Sequence, residues 1–247
     1  MGASEPPRSV YFFGTCLVDL FQPEAGIAAI ELLSREGLRV VFPQGQTCCA
    51  QPAYNSGYFD EARAVARAQI ALFSEPWPVV VPSGSCAGMM VRHYPALFEG
   101  QADLPDVLAF SARVHELTEF LVNVLHVSYE DRGAPVTVTW HPSCHALREL
   151  GVVEEPKRLL AQLGNVTLAP LVREKECCGF GGTFSIRNPE ISAAMVSDKA
   201  LDAVGTGAAE LLSGDGGCLM NIQGRVDVLG RGPRCRHIAE FLRERIG

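Results

Sequence analysis

Eight of the nine cysteines in this 247-residue chain fall into two quartets of the same design. Cys16, the adjacent Cys48 and Cys49, and Cys86 form the first; Cys144, the adjacent Cys177 and Cys178, and Cys218 form the second. Corresponding members lie 128, 129, 129 and 132 positions apart, so the spacing repeats within four residues across half the chain. Thiolates are soft ligands that suit iron–sulfur centres or zinc better than hard cations. Four per half is the number a 4Fe–4S cluster takes, and two quartets in register do not look like isolated cysteines used as small buried hydrophobes. All eight are therefore candidate cofactor and metal ligands. Zinc is the competing metal, but structural zinc sites draw on C-x2-4-C pairs, and none occurs here. The nearest approaches, Cys86-Ala-Gly-Met89 and Cys218-Leu-Met-Asn221, carry another residue at the second position. Metal-free thiols that exchange disulfides are a further reading that stays open. Cys235 stands outside both quartets and is expected to pack.

Other residues cluster around the cysteines. His141 and His145 bracket Cys144 and are the candidates for a catalytic or proton-relay role, for hydrogen bonds to a centre, or for ligation; a histidine at a strand end also serves as a cap. The turns Pro82-Ser-Gly-Ser-Cys86 and Cys178-Gly-Phe-Gly-Gly-Thr183 offer backbone N–H groups to anionic sulfur, or simply allow a tight turn. Gly179, Gly181 and Gly182 lack the spacing of a dinucleotide fingerprint. Ser56 or Asn55 is expected to cap a following helix. Arg148 and Arg187 could pair an acidic substrate or stay solvated.

These residues need elements that bring positions some thirty apart together. β-rich runs at 10–13, 38–42, 78–81 and 136–140 each precede a cysteine and predict buried strands. Helical patterns at 26–35, 61–73, 107–126, 155–163, 189–203 and 235–246 alternate with them. The alternation predicts an α/β fold of two pseudo-repeated, Rossmann-like halves with mostly parallel sheets and with the cysteines at strand C-terminal ends, where sites of such sheets collect. The Glu130-Asp131-Arg132-Gly133 interruption predicts a boundary there, giving domains 1–130 and 131–247.

Composition narrows the class. With 47% hydrophobic and 20% charged residues, the chain has a globular composition and needs no staples at this length. A net charge of −7 argues against a nucleic-acid footprint. No apolar run reaches the length of a membrane span, and the start, Met1-Gly-Ala-Ser-Glu-Pro-Pro7, lacks a secretory pattern. A cytoplasmic protein is expected, a compartment that disfavours disulfides and so favours metal ligation or redox chemistry.

Six stretches together resemble a known family. They are Thr15-Cys-Leu-Val-Asp-Leu-Phe21, Cys48-Cys-Ala-Gln-Pro-Ala-Tyr-Asn-Ser-Gly57, Pro82-Ser-Gly-Ser-Cys86, His141-Pro-Ser-Cys-His145, Cys177-Cys-Gly-Phe-Gly-Gly-Thr-Phe-Ser185 and Gly217-Cys-Leu-Met-Asn-Ile222. The family carries duplicated CCG cysteine-rich domains and includes a heterodisulfide reductase subunit and iron–sulfur subunits of glycolate- and glycerol-3-phosphate-oxidising enzymes. The resemblance covers residues 10–241 and points to the lactate-utilising branch. It implies a cytosolic iron–sulfur electron-transfer subunit of a three-protein system oxidising L-lactate to pyruvate, inactive alone, with partners that include a ferredoxin-like iron–sulfur protein. The heterodisulfide reductase motif has a fifth cysteine; Met89 and Asn221 stand there in this chain, and Ala50 replaces the glycine of the first CCG.

Overall fold

The computed structural model describes residues 7–247; positions 1–6, on which the expectation about a leader rests, lie outside the described residues. Eight short strands form two sheets: β1 (Ser9–Phe12), β2 (Arg39–Val41), β3 (Val79–Val81) and β4 (Val114–Glu116) in the first, β5 (Val136–Trp140), β6 (Val166–Leu168), β7 (Glu210–Ser213) and β8 (Arg234–His237) in the second. The orders are β2-β1-β3-β4 and β6-β5-β7-β8. Every pairing is parallel, with registers such as Val10↔Val40 and Thr139↔Leu211. Parallel strands covered by helices on both faces are apolar throughout, and Val79, Val80 and Val81 are all fully buried. The fold is thus the α/β architecture of two similar halves read from the sequence.

Two expected helices need correction. The pattern at 107–126 is interrupted: helix Leu104–Ser111 stops, β4 follows, and helix resumes at Leu117–Glu119. The Arg113 guanidinium donates to the carbonyls of Phe73, Glu75 and Trp77, pinning the chain beside β3, while the buried Glu116 carboxylate accepts from the backbone N–H of Thr118 and Glu119 and caps the next helix. A three-residue strand between two helical patterns left the 3.6 periodicity almost unbroken. The pattern at 235–246 likewise opens with β8, and helix begins at Ile238.

Glu116 gives a test of this junction. Burial pushes its carboxyl up to about 7 from 4.5, so between those values the folded chain keeps a proton that the unfolded chain has lost. Stability then falls as pH rises through that window and stays lower above it, by on the order of 3 kcal/mol. Glu116→Gln keeps an oxygen acceptor for both amides. Its stability relative to wild type is expected to rise from about pH 5 to about pH 8, read from urea midpoints. Parallel pH profiles for the two chains would contradict this.

The halves exchange their last helices. Helix Ile238–Ile246, at the end of the second half, packs on helix Pro23–Arg35 of the first, with Arg243 against Glu31 at 3.2 Å. The helix starting at Leu117, continued as a π turn over Phe120–Val124, packs reciprocally on Glu155–Ala161 of the second. Phe12, Leu32 and Phe120 consequently share one core cluster with Trp140, Leu159 and Phe241, whereas two smaller clusters each belong to one half. Arg245 reaches from the C-terminal helix to Asp131, between the sheets, with two hydrogen bonds of 2.7 and 2.6 Å. No helix among the described residues is long and apolar enough to cross a membrane.

Candidate metal centre

In each sheet the chain leaves the first strand to one side and returns on the other, so the loops after β1 and β3, and after β5 and β7, diverge and open a crevice at the strands' carboxyl ends. Cys16 opens helix Cys16–Phe21 after β1, the Cys48–Cys49 pair precedes helix Gln51–Asn55 after β2, and Cys86 lies in helix Gly84–Gly88 after β3. Cys144 follows β5, Cys177 and Cys178 occupy the loop after β6, and Cys218 lies in the first turn of helix Gly216–Leu229 after β7. The two crevices face one another. All eight quartet cysteines line a single cavity of about 140 Å³.

Hydrogen bonds close the cavity across the halves. The Gly84 N–H donates to the Gly214 carbonyl (3.2 Å), the Ser85 N–H to Asp215 Oδ2 (2.9 Å), and the Gln22 side chain to the Gly216 carbonyl (3.4 Å). Ser56, instead of capping a helix, meets Thr183 of the other half at 3.2 Å.

The thiols interact within each quartet. Cys178 Sγ and Cys218 Sγ are 3.0 Å apart, Cys177 Sγ and Cys144 Sγ 3.9 Å, and the Gly179 N–H donates to Cys177 Sγ at 3.4 Å. Hydrogen bonding to neighbouring sulfurs draws the Cys48 and Cys177 thiols down from their ordinary value. Sulfur–sulfur hydrogen bonds and burial push the other partners, Cys16, Cys49, Cys144 and Cys178, up. Burial pushes the remote Cys235 up to about 12, which makes it inert.

The family model described as CCG, cysteine-rich domain, matches residues 10–91 and again 138–223, spans that contain one quartet each. The chain belongs to the CCG cysteine-rich domain family. Proteins called lactate utilization protein A are similar over nearly the whole chain: that of Geobacillus kaustophilus is 46% identical over 239 residues, 96% of this chain and 99% of the relative, and that of Bacillus subtilis is 45% identical with the same coverage. The counterpart from Bacillus velezensis is 47% identical over 242 residues, again 96% and 99% of the two chains. A solved structure of a hypothetical protein from Helicobacter pylori shares the fold, with a TM-score of 0.59 at 12% identity, covering 98% of this chain and 50% of that one. The present chain therefore spans about half the length of that structure.

The CCG geometry explains why one glycine is dispensable. Ala50 and Gly179 follow the two cysteine pairs, and both adopt left-handed backbone, at φ 68° and 81°. A Cβ on Gly179 would meet the Ser192 carbonyl oxygen at 2.8 Å, so only glycine fits there, whereas the first CCG loop has room for the Ala50 methyl. Gly179→Ala is expected to lower stability by about 2 kcal/mol or more and to disorder the second quartet, while Ala50→Gly leaves stability unchanged or raises it by up to about 1 kcal/mol. Denaturant midpoints of the two variants check the contrast. Equal effects would show that the loops are not constrained differently.

Met89 and Asn221 both stand off the cavity. Met89 is buried in the first core, and Asn221 donates to the Cys178 carbonyl at 2.8 Å, so it fixes the CCG loop from behind. His145 lines the cavity, with Nδ1 3.5 Å from Cys144 Sγ and Nε2 3.7 Å from Glu149 Oε1. His141 is wholly buried behind the cavity wall, with a ring nitrogen within 4.8 Å of Cys178 Sγ and Cys218 Sγ, and burial holds its ring neutral by lowering it to about 3. Arg148 donates to the Lys175 carbonyl (3.2 Å), and Arg187 lines an outer cleft beside His145.

One residue of the second CCG half escaped the sequence reading. Lys199 is buried, and its ammonium donates to the carbonyls of Arg173 and Glu174, anchoring the loop that leads to Cys177. Gln69 does the same for Thr47 ahead of Cys48. The signal was present: in helix Pro189–Gly205, Lys199 falls on the stripe of Val196, Ala200 and Ala203 that faces the core.

Proposed function

We propose that this chain is the iron–sulfur electron-transfer subunit of a multi-protein, cytoplasmic oxidoreductase that converts L-lactate to pyruvate, with one centre, of the 4Fe–4S type, held by each quartet. The observation that carries the reading is the convergence of eight sulfurs, from two sets of three strand ends, on one walled cavity. The donor set fits the group: each quartet brings four soft, deprotonable sulfurs to the cavity wall. When bound, iron–sulfur centres supply one-electron redox chemistry, which suits the two-electron oxidation of a 2-hydroxy acid to delivery in single steps.

The chain's own residues hold and shield that chemistry. Cys16, Cys48, Cys49 and Cys86 hold one centre, and Cys144, Cys177, Cys178 and Cys218 the other. The Gly179 N–H offsets charge on Cys177, while Val18, Pro52 and Phe180 exclude water from the cavity. The names of the similar proteins support lactate as the pathway's substrate. Substrate contact and the final acceptor fall to partner subunits, among them a ferredoxin-like iron–sulfur protein, so the isolated chain turns over no lactate. Anaerobic reconstitution with iron and sulfide, followed by chemical assay and EPR of the reduced protein, tests this. Iron and sulfide in both halves with reducible signals is expected, and a colourless chain that binds neither would overturn it.

A second reading has one observation in its favour. At 3.0 Å, Cys178 and Cys218 are close enough to join as a disulfide after small shifts, so a metal-free thiol couple fits that pair. Zinc, the third occupant, would leave a colourless, metal-bearing chain.

A further inference from the structure

The two halves repeat their cysteines but not the residue three positions before the first of each quartet. In the first half it is Phe13, in the second His141. The two positions are equivalent in space: each lies one residue beyond the first strand of its sheet, the Phe13 N–H donates to the Val80 carbonyl of β3 at 3.0 Å, and the His141 N–H donates to the Leu212 carbonyl of β7 at 2.8 Å. Both side chains are fully buried. Phe13 fills its site as a hydrophobe, packed on Phe73 with ring centroids 6.0 Å apart.

His141 has no such use. Neither of its ring nitrogens meets a hydrogen-bond partner among the described residues, and an unpaired N–H or lone pair in the interior is unfavourable enough to be rare. The imidazole is held instead where its ligand nitrogen, Cys178 Sγ and Cys218 Sγ all lie within 4.8 Å of one another, the compass of a single metal ion. Nitrogen and sulfur donors together suit both iron and zinc.

We propose that His141 is a nitrogen ligand of the second centre, so that this centre has five donor side chains, one of them imidazole, and the first has four thiolates. The inference rests on the metal-centre reading above. The two centres are then chemically unlike: the nitrogen-bearing one belongs to Cys178 and Cys218, the all-sulfur one to Cys49 and Cys86. Phe13 cannot supply a donor.

The test is pulsed EPR on the anaerobically reconstituted full chain, grown with natural or 15N-labelled histidine. One of two reduced signals is expected to show nitrogen coupling that changes with the label. Cys178→Ser should remove that signal, and Cys49→Ser should remove the other. His141→Phe, which copies Phe13, is expected to abolish the coupling while iron remains in the first quartet. Should that variant fold poorly, His145→Gln in the labelled chain decides: the coupling persists if His141 is its source, and its loss, with Nδ1 of His145 3.5 Å from Cys144 Sγ, would overturn the proposal. Iron in both quartets with no histidine coupling in either signal would overturn the proposal and leave the metal-centre reading standing; no iron in either quartet would overturn both.

Discussion

Cys178→Ser is expected to yield a folded chain that, after anaerobic reconstitution, retains about half of the wild-type iron and sulfide and only one of two reduced signals. The serine hydroxyl is a hard, weakly acidic donor and cannot replace a thiolate on iron. Cys178 is also the member of its quartet with the most ties: its Sγ is 3.0 Å from Cys218, its carbonyl is held by Asn221, and it packs with Leu171, Val196 and Leu211. Those packing contacts survive the change of one atom, so far-UV circular dichroism should match the wild type. Cys235→Ser, remote from the cavity, should leave iron untouched. Full iron content in the Cys178 variant would mean that the quartet does not act as a ligand set.

Arg245→Met has the largest expected effect on stability, about 3 to 5 kcal/mol. The Asp131 side chain is 3% exposed and that of Arg245 7%, and the guanidinium grips both carboxylate oxygens while also donating to the Ala134 carbonyl. Removing the cation leaves a buried carboxylate with only the Gly133 and Asn165 amides. Arg245 holds the Asp131 carboxyl down to about 2, from 3.8, so the pair's contribution is present above about pH 4 and is lost as pH falls through 2. The gap in urea midpoint between wild type and variant should therefore narrow on acidification below about pH 4. An unchanged midpoint at neutral pH would show that the ion pair does not tie the C-terminal helix to the segment between the sheets.

The repeated cysteine spacing was legible in the sequence, and the structure brings all eight of those cysteines to one cavity. Cys16, Cys86, Cys144 and Cys218 each follow a strand in the order that opens a crevice, and the strands at 10–13, 78–81 and 136–140 are apolar enough to be read directly. Edge strands were harder to read. Val114–Glu116 and Arg234–His237 are short, carry charged or polar residues, and run straight into helices whose periodicity absorbs them. Val166–Leu168 and Glu210–Ser213, three and four residues long, gave no comparable apolar run. The union of the two crevices in one cavity was not readable, since it depends on contacts between residues more than a hundred positions apart, such as Ser85 with Asp215. Lys199 was overlooked because charge, read alone, suggests solvent, although its helical register said otherwise.

The traded terminal helices bear on ancestry. A lone unit ending after Phe120–Val124 would leave uncovered the apolar side of its last helix and the matching side of its first, and a second copy of the same unit would cover both at once by a two-fold pairing. Joining two such protomers end to end through the Tyr129 to Ala134 connection would keep both reciprocal helix packings. Fusion then frees the copies to diverge, and a phenylalanine in one half where the other carries a histidine is the kind of specialisation that a symmetric homodimer, with one gene for both copies, can never acquire.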